Sequence, residues 1–133
     1  MILCKPIGQR LTVLFLSLFV ISIVNISAQD AAAGKAIFTG KCASCHNIFK
    51  KMTGPALMGL EERGKWADHK ELLAWINNPA AYMAKDPYTQ GLKAEYSSMM
   101  TGFPEITLKE VDDIVAYIKE AGKPAPPPPP GEL

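Results

Sequence analysis

Cys42, Ala43, Ser44, Cys45 and His46 bring two thiols and an imidazole into five consecutive positions. In an exported chain, two thiols this close can form a disulfide or a dithiol redox pair. With an imidazole beside them they can also supply half of a zinc site or the attachment point of a haem. Zinc needs four ligands, and the chain's other histidine, His69, has no cysteine beside it. A thioredoxin-type dithiol follows a buried strand in a βαβ pattern, and no run after residue 28 reads as a strand. Haem suits the spacing well. Its two vinyl groups share one edge of the macrocycle, so cysteines three apart can each form a thioether there while the next side chain reaches the iron.

Iron held by His46 from one side needs a partner on the other, and the partner decides the chemistry. A strong sixth ligand makes an electron carrier, whereas an empty position makes a gas-binding protein or a peroxidase. The candidates are Met52, Met58, Met83, Met99 and Met100. Methionine is most often a gap-filler. Met52 lies too near His46 along the chain to reach the far face, and Met58 and Met83 sit in segments that read as lining.

Three helices must position these groups. The first is expected from Ala31 to Cys45, with Asp30 as its N-cap and Ile37 and Phe38 as apolar contacts, and it delivers both cysteines on its last turn. The second starts at Asp68, a cap with Glu71 three residues on, and runs through Leu72, Trp75 and Ile76 until Asn77-Asn78-Pro79 stops it. The third starts with a capping box of Thr107 and Glu110 and carries an apolar face of Val111, Ile114, Val115 and Ile118. Gly122 falls at its C′ position. Lys109, Glu110, Asp112, Asp113, Lys119 and Glu120 are placed on its wet side, and His69 on a solvent-facing first turn. Two long stretches between the helices, Asn47 to Ala67 and Ala84 to Ile106, read as irregular. Loops of that length in a small domain wrap something.

The ends of the chain read differently. Met1 to Ala28 carries Lys5 and Arg10, no acidic residue and an apolar run from Leu11 to Ile26, the pattern of a secretory signal peptide cut after Ala28. An uncleaved membrane anchor is the competing reading. Residues 124–133, which include Pro126 to Pro130, form a proline-rich tail expected as polyproline II. The domain is therefore residues 29–123. Of 14 basic and 13 acidic residues, Lys5 and Arg10 leave with the leader, so the charge is close to neutral and nucleic acid is not expected as a partner. So small a domain buries a limited share of its surface and commonly needs a metal, a disulfide or a prosthetic group.

The run Gly34 to His46 resembles the opening of class I c-type cytochromes, the monohaem cytochrome c family. The likeness continues through Thr53-Gly54-Pro55-Ala56-Leu57, Leu72 to Pro79 and Val111 to Ala121. It implies an all-α fold, three main helices and long loops around one covalently bound haem c, with Gly34 close to the last helix near Tyr117 and Phe38 beside them. It also implies thioethers from Cys42 and Cys45, iron between His46 and Met100, and the Pro55 carbonyl as acceptor from His46. Met100 is chosen over Met99 because Met100-Thr101-Gly102-Phe103 fits the family's M-x-x-F register. Trp66 is expected to donate to a haem propionate and Trp75 to line the methionine side. The implied function is one-electron transfer with no catalytic site, by a monomer in the periplasm or exported. Its partners would be redox proteins such as a respiratory reductase or terminal oxidase, steered by Lys41, Lys50, Lys51, Lys85 and Lys93. A membrane-anchored haem module and a peroxidase or gas-binding protein are the alternatives.

Overall fold

A computed structural model describes residues 29–124. The leader, and the tail beyond Pro124, lie outside the described residues. Helices α1 (Ala31–Ile37), α2 (His69–Asn77), α3 (Pro79–Met83), α4 (Pro87–Tyr96) and α5 (Leu108–Ala121) are joined by loops, with no strand among the described residues.

Asp30 caps α1 by accepting from the amides of Ala32 and Ala33 at 2.9 and 3.0 Å. The expected single helix to Cys45 is not formed. From Phe38 to Cys42 the chain winds as a wider π-helical turn, with the Ala43 amide donating to the Phe38 carbonyl at 2.9 Å. It loosens at Thr39-Gly40, two residues with weak preference for the α-helix.

The packing of α1 across α5 holds the fold together. Gly34 is buried at the crossing, and a Cβ there would overlap the Asp113 carbonyl and come within 2.8 Å of the Ile114 nitrogen. The close approach therefore falls a turn before Tyr117, while Phe38 meets Tyr117 with ring centroids 5.5 Å apart. The Thr107–Glu110 capping box forms as expected, and Val111, Ile114, Val115 and Ile118 are all buried. Gly122, however, is right-handed at φ −82°, so it is no left-handed C′ cap. The Met58 side chain packs over it, its Cε 2.5 Å from where a Cβ would stand, a contact that this flexible side chain could relieve by moving.

Asp113 is not on the wet side. It is buried, accepting from the Asp30 amide at 2.7 Å and from Lys109 Nζ at 2.8 and 2.9 Å. Burial alone would raise its carboxyl, but these donors hold it below the usual carboxylate range. His69 likewise is not solvent-facing, because Glu61 and Asp112 enclose it.

Asp68 caps α2 through the Lys70 amide at 2.9 Å. Glu71 does not complete a capping box; it accepts from the Tyr82 hydroxyl at 2.6 Å instead. Asn78-Pro79 both stops α2 and starts α3, with Asn78 Oδ1 accepting from the Ala81 amide and Pro79 in the first turn, where a missing N–H costs nothing. The stretch Ala84 to Ile106 is not wholly irregular. Asp86, buried and bonded to the Thr89 amide at 2.9 Å, caps α4, and Pro87 follows at its first position.

Candidate cofactor site

Between α5, α2 and the loops lies an apolar cavity of two adjoining lobes, about 810 and 840 Å³ of empty space counting the part open to solvent. Cys42, His46, Pro55, Trp75, Met100 and Phe103 line both lobes. The inner lobe adds Leu57, Leu60, Arg63, Trp66 and the apolar face of α5. The outer lobe adds Cys45, Gly54, Tyr96 and Met99. Helix α4, absent from the sequence reading, contributes Tyr88 and Leu92 to the wall.

The imidazole is seated by backbone. His46 Nδ1 lies 3.0 Å from the Pro55 carbonyl, which can only accept, so Nδ1 carries the proton and Nε2 keeps its lone pair. Gly54 makes room for this, since a Cβ there would overlap the ring at Cε1 and lie 2.8 Å from Nδ1. Sequence reasoning gave Gly54 no role. The only signal for it was its place within Thr53-Gly54-Pro55.

Cys42 and Cys45 are both unbridged. Burial, partly offset by Lys41, pushes the Cys42 thiol up to about 11. No cluster of His, Cys, Asp or Glu that could hold a metal ion occurs among the described residues.

Among the methionines, Met100 is half-buried and lines both lobes, whereas Met99 is 42% exposed and lines only the outer one. Met58 does not line this cavity but packs beside Gly122, and Met83 packs on the core away from it. Trp66 and Trp75 are buried with ring centroids 6.1 Å apart, and Trp66 also meets Tyr82 and Tyr88 at 5.7 and 5.8 Å. Of the five lysines expected to steer a partner, two are already paired. Lys41 reaches Glu105 at 2.5 Å and Lys51 reaches Glu95 at 2.8 Å.

The cytochrome c family model matches residues 31–122. The chain belongs to the cytochrome c family. It is 30% identical over 123 residues to cytochrome c2 of Rhodopseudomonas palustris (strain ATCC BAA-98 / CGA009), covering 74% of this chain and 85% of that one. Over 52 residues it is 44% identical to cytochrome c6 of Rippkaea orientalis (strain PCC 8801 / RF-1), covering 36% and 47%. Its fold is similar to that of a cytochrome c from Rhodothermus marinus, with a TM-score of 0.58 at 23% identity, covering 74% of this chain and 84% of that one. The all-α cytochrome c fold expected from the sequence is the one observed. Family membership makes the cofactor a covalently bound haem c and the chain a one-electron carrier.

The cavity fits that group. It offers apolar walls, two thiols, an imidazole with a free Nε2 and a thioether. One polar atom is also left over. Arg63 Nη2 donates to the Ala56 carbonyl at 2.8 Å, but its Nε is buried without a partner. A buried guanidinium N–H at an apolar cavity is costly unless the occupant brings an anion, and the carboxylates of haem would meet that need. Sequence reasoning missed Arg63 because only contacts made in three dimensions leave its Nε stranded.

Proposed function

We propose that the chain carries its haem through thioethers at Cys42 and Cys45, with iron held between His46 and Met100, and passes single electrons between redox proteins outside the cytoplasm. The observation that carries this reading is that His46, with Nδ1 committed to Pro55, and Met100 line the same two lobes.

The haem supplies the one-electron couple. The protein's part is to set its potential and keep water away. Met100 is a neutral, soft ligand that favours ferrous iron, and the apolar walls from Leu57, Trp75 and Phe103 disfavour the extra charge of the ferric state, so both raise the potential. The Pro55 carbonyl fixes the His46 ring and increases its basicity. Arg63, together with the Trp66 indole N–H, binds the haem carboxylates. His46 and Met100 would both hold the iron on this reading, leaving no position for a substrate, which supports a carrier rather than an enzyme.

The amino-terminal apolar run supports export to the periplasm with cleavage after Ala28, and the carrier is read as a monomer. Among the described residues no helix is long and apolar enough to cross a membrane. The partners on this reading are a respiratory reductase and a terminal oxidase, met through a small, short-lived contact at the outer lobe.

Replacing Met100 with alanine removes the methionine ligand from the visible spectrum, lowers the potential and lets carbon monoxide bind the ferrous protein rapidly, whereas Met99→Ala leaves all three unchanged. The reverse pattern would move the ligand to Met99. Rapid carbon monoxide binding by the unaltered protein would favour a gas-binding or peroxidase function. An exported protein that retains Met1 would make it an anchored module.

A further inference from the structure

His69 opens α2, lines neither lobe of the cavity, and is held from both sides. Its Nδ1 lies 2.5 Å from Asp112 Oδ1 on α5, and its Nε2 lies 3.0 Å from Glu61 Oε1 on the short turn Leu60–Glu62. A neutral imidazole has one N–H, and a carboxylate can only accept, so the two contacts together require the imidazolium. The other oxygen of Glu61 takes Lys119 Nζ from α5 at 2.6 Å. The groups facing His69 are therefore Glu61 from the turn and Asp112 from α5, with Lys119 one bond further on. These four balance to zero charge while the ring is protonated and carry one net negative charge when it is not. Burial alone would lower the pKa of His69, whose side chain is 16% exposed, but the bonds from Asp112 and Glu61 outweigh it and hold the value above 6.5.

This quartet spans two walls of the cofactor cavity. The turn belongs to the loop that supplies Leu57, Leu60 and Arg63, and α5 supplies Val111, Val115 and Ile118. We propose that His69 is a positioning residue for the haem, its proton drawing these walls together, so that losing the proton lowers the reduction potential. The inference rests on the haem reading of the cavity.

Two effects act in the same direction. Removing a positive charge near the cavity favours ferric iron, and a looser wall that admits water favours it as well. On deprotonation the Nδ1–H can stay on Asp112, so the longer Glu61 contact is the one that opens, with Lys119 still tethering the turn. By linkage, oxidation must weaken the hold of His69 on its proton to the same extent.

The test is a potentiometric titration of the holoprotein across about pH 5 to 9, where histidine charge changes fall, with NMR titration of the His69 ring in both redox states. The potential should step downward with rising pH, centred above 6.5. His69 should titrate lower in the ferric than in the ferrous protein. His69→Gln should abolish the step, and Asp112→Asn should move it to lower pH. An unchanged step in His69→Gln would assign the proton elsewhere and overturn the proposal, as would identical His69 titrations in the two redox states. The second readout uses the unaltered protein and decides the matter even where the variant does not accumulate. The visible spectrum of each sample reports haem and its ligands, so failure of this coupling is distinguishable from failure of the haem reading.

Discussion

The crossing of α1 and α5 and the wall of the cavity are built from similar apolar residues but closed in different ways. At the crossing the Gly34 backbone rests directly on the Asp113 carbonyl, and Gly34, Phe38 and Asp113 are all buried and line neither lobe of the cavity. At the cavity Leu57, Leu92, Met100 and Phe103 are only half-buried and face open space. The first region is complete in the polypeptide alone. The second gains its contacts from the group it holds, since each apolar square ångström covered contributes about 25 cal/mol. Changes at the crossing should therefore lower stability and leave the iron's surroundings alone, whereas changes at the wall should do both.

The largest effect is expected for Gly34→Val. The new side chain meets backbone that cannot step aside, so stability should fall by about 3 kcal/mol, measured by urea unfolding of the holoprotein, with the visible spectrum of the folded fraction unchanged. An undiminished midpoint would mean that the helices do not meet where Gly34 lies. Gly54→Ala should cost less, about 2 kcal/mol, yet it should alter the spectrum, because its Cβ displaces the His46 ring from Pro55.

His69→Gln ranks third, at about 1 kcal/mol, and its effect should depend on pH. The folded pKa of His69 is raised above the ordinary 6.5, so its stabilisation is fully present below 6.5 and disappears as pH rises through the folded value. Midpoints of the variant and the parent should therefore converge in alkali; a constant gap would show that packing, not charge, is at stake. The smallest effect is expected for Lys51→Ala. Its pair with Glu95 lies in solvent, and no change in the unfolding midpoint should be measurable.

The parts legible in the sequence were those encoded over three or four residues. The Asp30 cap, the Thr107–Glu110 box and the buried face of α5 follow from spacing alone. So does the motif at Cys42 to His46. Helix α4 carries a short-range signal too, Asp86 followed by Pro87, but Gly91 and a weakly amphipathic pattern obscured it. Residues whose roles come from distant partners could not be read this way. The polar neighbours of His69 suggested solvent, yet its partners lie 8 and 43 positions away. Asp113 looked like one more charge on a wet face until Asp30, 83 positions earlier, took its carboxylate.

The wide turn from Phe38 to Cys42 separates the length of the opening segment from the direction in which it aims. Five residues fill a loop of backbone where four would make an ordinary helical turn, so one surplus residue is absorbed as a bulge. Forcing that stretch into regular helix at constant length would swing Cys42, Cys45 and His46 by about 100° around the axis, the angle of one residue. Excising Thr39 instead would remove the bulge and leave all three aimed as before. Here the chain should tolerate a missing residue better than a straightened one.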